Sequence, residues 1–263
     1  MSQIHNKSQK TAYYAVKKGF KTGIFYTWDE CKEAIQDFAY PRYRKFLSLE
    51  EANSFLNDES LPINKVEYVA KNESSNSQDK IVEDCIQDSL KAAKVVAFVD
   101  GSYDNEKKYY GSGVLILTPE NKIIEIVYHA NYEQYLKSRN VSGEVFASLI
   151  AMKWAIKNEY DKIVIFYDYS GICNWICKSW EASAPISKKY LQLYEEMSGK
   201  LVVEFFKIKA HSDNKYNDAA DKLAKRSLIN FNTEKPVFDC TEHANLQIKY
   251  SYLDFPEFAP EIN

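Results

Sequence analysis

The order of hydrophobic patterns between residues 95 and 229 constrains the fold more than any other feature of the sequence. Three strand patterns follow one another directly, VVAFVD, GSGVLIL and KIIEIVYHA, and a helix pattern then covers Gly143 to Lys157. The strand IVIFYD, two helical stretches, the strand LVVEFFKIKA and the helix NDAADKLAKRSL come next. This order predicts an α/β domain whose mixed sheet has a meander on one side.

Two strands of this predicted domain end in an aspartate. Asp100 closes VVAFVD and Asp168 closes IVIFYD, and we expect their side chains to meet because neighbouring parallel strands end at the same edge. Glu144 opens an apolar helix and Asp221 lies early in the last helix, and helix starts lie near that edge too. Gly101 is expected to let a phosphate backbone approach. Each carboxylate alone is more often a cap or surface residue, so the joint pattern carries the prediction.

Four carboxylates in one cleft repel one another and raise one another's pKa unless cations neutralise them. Oxygen ligands suit Mg²⁺, which keeps water molecules for a phosphate substrate. Two such ions, about 3.5 to 4 Å apart, would hold the attacking and leaving oxygens of a phosphodiester displacement. The pattern therefore predicts phosphodiester hydrolysis with two Mg²⁺ ions, for which Mn²⁺ is the expected substitute.

The same residues resemble a known enzyme family. The segments that carry the resemblance to type 1 ribonuclease H are Asp100-Gly101-Ser102, Gly143-Glu144 with Ala147 and Ala151, Asp168, Ala210-His211 and the run NDAADKLA from Asn217. The resemblance spans residues 94 to 229 and implies a ribonuclease H-like mixed five-stranded sheet flanked by helices. It also implies endonucleolytic hydrolysis of the RNA strand of RNA–DNA hybrids.

The resemblance also implies a set of site residues. The metal-binding catalytic carboxylates would be Asp100, Glu144, Asp168 and Asp221. His211 would assist proton movement or product departure, and Asn140 would contact the minor groove of the hybrid. The sequence departs from the family after the third carboxylate, where Tyr169 stands in place of the usual serine, so substrate contacts at that point stay open.

The N-terminal region has patterns of its own. AYYAVKKGFKTGIFYTW predicts two short strands, and Thr27 with Glu30 and Ser48 with Glu51 have the spacing of capping boxes that begin helices. The first 57 residues resemble the small α+β hybrid-binding domain of many ribonucleases H and of caulimovirus viroplasmin. The matching segments are Tyr13–Val16, Gly19, Lys21–Gly23, Trp28 with Glu30-Cys31, and Tyr43–Phe46. The nucleic-acid contacts implied are Tyr14, Trp28, Tyr43, Arg44 and Lys45.

Charge separates the predicted parts of the chain. Residues 13–46 hold seven basic and four acidic residues, a net charge of +3, whereas residues 58–93 hold eight acidic and four basic residues, a net charge of −4. We therefore expect the second stretch to be a solvated linker that tethers rather than binds. The predicted division is a hybrid-binding domain (1–57), an acidic linker (58–93), a catalytic domain (94–230) and a C-terminal extension of unknown role (231–263).

Composition excludes several classes of protein. The five cysteines form no Cys-x-x-Cys pair, which argues against a zinc site or a disulfide framework and favours reduced thiols in the cytoplasm. No run of 18 apolar residues indicates a membrane span, and nothing indicates an obligate protein partner. The net charge of −3 means that any nucleic-acid surface must be a local basic patch.

Two other functions are open. One is a non-catalytic protein that binds hybrids or double-stranded RNA, and the other is a ribonuclease H-like nuclease that also acts on double-stranded RNA. The four carboxylates disfavour the first, because a pure binding protein gains nothing from negative charge clustered near phosphates. The apolar tail residues Tyr250, Tyr252, Leu253 and Phe255 would pack on the catalytic domain or bind a partner.

Overall fold

The computed structural model describes residues 12–36, 42–57, 66–68, 75–209, 214–229, 248–250 and 258. The chain divides into two compact units, with the main boundary after residue 63. Across these described ranges, no helix is both long enough and apolar enough to span a membrane.

The N-terminal unit is a three-stranded antiparallel sheet with one helix on each face. Its elements are β1 (Tyr13–Lys18), β2 (Gly23–Phe25), α1 (Trp28–Ile35), β3 (Arg42–Phe46) and α2 (Leu49–Asn57). The strand order is β2-β1-β3, so the third strand, which the sequence patterns did not predict, lies beside β1. Helix α1 packs on the face of Val16, and α2 packs on the face of Ala15.

The two helix starts predicted for this unit are both present. The amide of Glu30 donates to Thr27 Oγ1, and Glu30 Oε2 accepts from the Thr27 amide, which completes the capping box of α1. At α2 the amide of Glu51 donates to Ser48 Oγ over 3.5 Å. These side chains satisfy amide donors that a helix leaves without intrahelical partners.

The larger unit is built on a mixed sheet. Its elements are β4 (Val66–Tyr68), α3 (Ser75–Lys91), β5 (Val95–Asp104), β6 (Tyr109–Leu117), β7 (Ile123–Ala130), α4 (Glu133–Leu136), α5 (Asn140–Lys157), β8 (Lys162–Tyr167), α6 (Gly171–Ile176), α7 (Pro185–Ser198), β9 (Val202–Lys207), α8 (Lys215–Ile229) and β10 (Ile248–Tyr250). Strands β7-β6-β5-β8-β9 form the five-stranded mixed sheet that was predicted, with the meander β5-β6-β7 antiparallel and β5-β8-β9 parallel. Two further strands of three residues extend its edges, β10 beside β7 and β4 beside β9.

Helices cover both faces of this sheet. On one face, apolar side chains of α3 and α8 join Phe98 and Phe166 in one buried cluster. On the other face, α5 lies against β5 and β6, where Ser112 Oγ donates to the carbonyl of Gly143 over 2.7 Å. Side chains alternate between the two faces along a strand, so every second residue of β5 and β6 points to α3 and α8 and the others point to α5.

Helix α3 is a difference from the sequence prediction. Residues 58–93 were expected to stay solvated, yet Val82 and Ile86 of α3 are buried in the sheet cluster and Leu90 packs against it. The physical reason is that the apolar residues of this stretch recur at helical spacing, so one side of the helix is apolar although the net charge of the stretch is negative. At least residues 79–91 therefore belong to the folded larger unit.

Candidate active site

The sheet brings Asp100 and Asp168 to the same edge. Strands β5 and β8 pair in parallel with Phe98 opposite Phe166, and each aspartate lies two residues further along its strand direction. This pairing of neighbouring parallel strands confirms the arrangement predicted from the patterns. Strand β5 does not end at Asp100, however, because it continues to Asp104 in a hairpin with β6.

Glycines allow helix α5 to touch the strands at this edge. A Cβ atom on Gly101 would lie 2.1 Å from the carbonyl oxygen of Asn140 and 2.3 Å from the amide nitrogen of Glu144. A Cβ atom on Gly143 would lie 2.1 Å from the carbonyl oxygen of Gly111. The space predicted at Gly101 for a phosphate backbone is therefore filled by the first turn of α5, and this close approach fixes Glu144 beside β5.

Glu144 is buried and bound to the backbone of the third carboxylate. Glu144 is only 3% exposed. Its Oε1 accepts hydrogen bonds from the backbone amides of Asp168 (3.3 Å) and Tyr169 (3.1 Å). Burial, followed by the charges of Asp168 and Asp100, raises the pKa of Glu144, although the two amide hydrogen bonds oppose the shift. Glu144 therefore ties α5 to the end of β8.

The pKa of Asp100 is also raised. Burial, followed by the charge of Asp168, raises the pKa of Asp100 to about 7, and the charge of Asp221 adds to the effect. The hydrogen bond from the Gly101 amide to Asp100 Oδ1, 2.6 Å long, opposes the shift. Asp100 therefore lies within electrostatic reach of the other three carboxylates predicted from the sequence.

Lys225 is a site residue that the sequence interpretation missed. Its Nζ donates to Asp221 Oδ2 over 2.6 Å, and this hydrogen bond raises the pKa of Lys225. Its charge also lowers the pKa of Asp100, so the ammonium group acts on both carboxylates. The available signal was its position four residues after Asp221, because i and i+4 side chains lie on one side of a helix.

The donor set fits a hard divalent cation in its chemistry. All four acidic groups offer carboxylate oxygens, and a bound cation would relieve the burial of Asp100 and Glu144 and the repulsion they experience from neighbouring carboxylates. Within the described residues, no three Asp, Glu, His or Cys side chains are already arranged as a compact metal-ligand group. The fit therefore rests on the donor chemistry and electrostatics of the site.

The remaining predicted residues of the larger unit have different positions. Asn140 is the first residue of α5 and is exposed, and its backbone lies against Gly101. His211 lies outside the described residues, so its predicted role stays a prediction.

Aromatic rings form a surface group in the N-terminal unit. Trp28, which is 45% exposed, lies between Tyr14 and Tyr43, with ring centroids 5.8 and 5.9 Å apart. Lys45 Nζ lies 5.8 Å from the centre of the Tyr14 ring. Arg44 lies on the opposite face of β3, over Phe46 on the α2 side, because side chains alternate along a strand. The structure thus groups four of the five predicted contacts and separates the fifth.

Sequence comparison assigns both regions. Residues 92–229 match the RNase H family, and residues 12–56 match the family described as the ribonuclease H1 N-terminal domain. The first match alone covers more than half of the chain. The chain belongs to the RNase H family, and ribonuclease H activity follows from that membership.

Two proteins named ribonuclease H1 are similar to most of this chain. Ribonuclease H1 of Rattus norvegicus is 24% identical over 254 residues, which cover 81% of this chain and 88% of the rat protein. Ribonuclease H1 of Homo sapiens is 23% identical over 255 residues with the same coverage. Among solved structures, RNase H1 of the archaeon Halobacterium salinarum covers 51% of this chain and 97% of its own at 17% identity, with a TM-score of 0.43.

Proposed function

We propose that this chain is an endonuclease that hydrolyses the RNA strand of RNA–DNA hybrids. Membership of the RNase H family supports the substrate class. The observation that carries the proposal is the convergence of Asp100, Glu144 and Asp168 at one edge of the sheet, with Asp221 near enough to raise the pKa of Asp100. A phosphodiesterase needs such a group of oxygen donors where the phosphate is attacked.

In this proposal Asp100, Glu144, Asp168 and Asp221 hold two Mg²⁺ ions, for which Mn²⁺ would substitute. Bound there, the cations would polarise the scissile phosphate and lower the pKa of the attacking water. The protein's own contribution is rigidity: the amides of Asp168 and Tyr169 orient Glu144, and the ion pair with Lys225 orients Asp221. His211 would move a proton or assist product departure, as its resemblance to the family histidine implies.

Substrate choice would come from shape and sugar chemistry. RNA is distinguished by its 2′-hydroxyl groups, and shallow grooves are recognised through backbone and sugar contacts. In the N-terminal unit, the half-exposed Trp28 between two tyrosine rings, together with Lys45, supports a surface that stacks on sugars and holds phosphates. Arg44, on the other face of β3, would contribute by its charge alone unless the hybrid also reaches that face.

We further propose a division of labour along the chain. Residues 1–57 bind the hybrid, residues 94–230 cleave it, residues 58–93 connect the two while α3 packs on the sheet of the larger unit, and residues 231–263 form an extension. The family matches at 12–56 and 92–229 support the first two assignments. Covalent connection raises the effective concentration of the nuclease on a bound hybrid, which favours several cuts per encounter.

The decisive experiment compares RNA–DNA, RNA–RNA and DNA–DNA duplexes, each with Mg²⁺, Mn²⁺ or EDTA. We expect metal-dependent cleavage of the RNA strand in the hybrid only. Asp100→Asn should abolish cleavage while hybrid binding persists, and Asp161→Asn, at an exposed aspartate outside the site, is the matched control. Binding of the hybrid without cleavage in any metal would favour the non-catalytic alternative, and equal cleavage of RNA–RNA would favour the broader nuclease.

The binding surface is tested separately. Trp28→Ala should weaken hybrid binding by about 1 kcal/mol or more, the lower end of the range for an aromatic side chain stacked on a base, because Trp28 is proposed to stack on sugars. Leu47→Ala, at another exposed apolar side chain of the same unit, is the control. Equal hybrid affinity of the Trp28 variant and the wild type would remove this part of the proposal.

A further inference from the structure

Two polar side chains stand beside the third carboxylate, and the site described above does not use them. Lys207 is the last residue of β9, and it pairs with Tyr167, the residue that precedes Asp168. The neighbouring amide of Ile208 donates to the carbonyl of Tyr167 over 2.9 Å. Lys207 Nζ donates to Ser170 Oγ over 2.5 Å, and both side chains are half-buried. Ser170 follows Asp168 by two residues, so the pair belongs to the same end of β8 and β9 as the third carboxylate.

Tyr169, the residue between Asp168 and Ser170, is turned onto α6. Its ring centre lies 5.6 Å from that of Trp175. A Cβ atom on Gly171 would lie 2.2 Å from Tyr169 Cε1, so the ring rests directly on this glycine. The large side chain that stands where the family has serine is thereby packed against the helix, and Ser170 with Lys207 forms a polar pair two residues beyond Asp168.

The donors of this pair suit a phosphate. Lys207 brings an ammonium group, which has three N–H donors, one of them directed at Ser170, and the O–H of Ser170 is a further donor. Hydrogen bonds from both groups can converge on the oxygens of one phosphate, and such charge-assisted bonds are the strong ones. A cation here also offsets the repulsion between the carboxylates and the nucleic-acid backbone.

We propose that Lys207 and Ser170 together bind one backbone phosphate of the RNA strand, adjacent to the phosphate that is cleaved. This contact rests on the proposed function and extends it, because it assigns a substrate contact to the point where the chain departs from its family. It holds the strand in register over the carboxylates without reading its sequence.

The first test uses steady-state cleavage of a labelled hybrid. Lys207→Met should raise KM about 10-fold with a smaller effect on kcat, and it should reduce the salt slope of log(kcat/KM) by about 1, as loss of one phosphate contact does. Lys207→Arg should retain most of the activity. Lys162→Met, at an exposed lysine on the other end of β8, is the matched control and should behave as wild type. An unchanged salt slope in Lys207→Met would overturn the contact.

The second test locates the phosphate. Hybrids carry a single neutral methylphosphonate at successive positions of the RNA strand on either side of the cleavage site. At one adjacent position, wild-type kcat/KM should fall about 10-fold, whereas Lys207→Met should lose less than 2-fold, because the contact is already absent. Ser170→Ala, which removes only the hydroxyl, should be intermediate and gives the same comparison if the lysine variant does not fold. Equal losses in wild type and variants at every position would overturn the proposal.

The results distinguish failure of this phosphate contact from failure of the proposed RNA hydrolysis. If wild-type protein fails to cleave the unmodified hybrid with any metal, the proposed function falls and the contact with it. If the wild type cleaves and Lys207→Met keeps wild-type kinetics and salt dependence, the contact alone falls.

Discussion

Removing the charge of Asp100 should stabilise the protein in the absence of metal. Asp100 is largely buried beside Asp168, and these two causes, burial first, raise its pKa from 3.8 to about 7. Asparagine has nearly the same shape, and its carbonyl can still accept the hydrogen bond from the Gly101 amide. We therefore expect Asp100→Asn to lose cleavage and to gain free energy of unfolding.

The size and the pH dependence of the gain follow from proton linkage. The folded state holds this proton more tightly than the unfolded state, so ionisation of Asp100 costs stability as the pH rises from 3.8 towards 7. At about 1.36 kcal/mol per pH unit, the cost above pH 7 is about 4 kcal/mol at most. Because the side chain is partly accessible to water, we expect a gain of about 1 to 3 kcal/mol at pH 8 and a smaller gain at pH 5, where part of Asp100 is protonated in the folded state.

Urea unfolding followed by circular dichroism measures this gain. Wild type, Asp100→Asn and the exposed control Asp161→Asn are unfolded in EDTA at pH 5 and pH 8. Only Asp100→Asn should have a higher midpoint than wild type, and the difference should be larger at pH 8. In Mg²⁺ the wild type should recover part of the difference, since a ligand that binds the folded state stabilises it. An Asp100→Asn variant that is less stable than wild type at pH 8 in EDTA would refute the electrostatic reasoning.

Three further substitutions test the fold around the sites. Gly101→Ala should abolish cleavage and lower the free energy of unfolding by about 1 to 3 kcal/mol or more, because its Cβ would clash with the α5 backbone. Gly199→Ala, where the Cβ would have open space around it, is the control and should leave urea unfolding unchanged. Phe258→Ala should cost about 3 to 5 kcal/mol in the same assay, and Ile229→Ala, 82% exposed, should cost little; equal values would contradict the packing. Thr27→Ala should cost about 1 kcal/mol and accelerate hydrogen exchange in α1, and unchanged exchange would count against the cap.

Periodic patterns made the core of the fold predictable. Strands β5, β6 and β8 each contain a continuous apolar run, and buried strands require such runs. The positions of Asp100 and Asp168 were predictable for the same reason, because a carboxylate at the end of an apolar strand is visible without a structure. Lys225 was not found because exposed lysines are common on helices, and only the distance to Asp221 distinguishes this one.

Features that depend on distant partners were not predictable. The space at Gly101 could admit a phosphate or another backbone, and only the packing of α5 decides between them. Strands β4 and β10 have three residues each, and such short edge strands form because β9 and β7 offer unpaired backbone groups. In α3 the helical spacing of Val82 and Ile86 was present in the sequence, but the net charge of the stretch concealed it.

The C-terminal extension illustrates how such a distant partner can reach the site. Phe258 is fully buried, with its ring centre 4.7 Å from that of Phe146 and 5.6 Å from that of Tyr128. Phe146 follows Glu144 by two residues, and two residues turn a helix by about 200°, so these side chains lie on nearly opposite sides of α5. On one side of α5, Glu144 is held by the amide of Asp168, and on the other side Phe146 packs against Phe258. We therefore infer that packing from the extension helps to fix the rotation of α5 that places Glu144 beside the Asp168 amide.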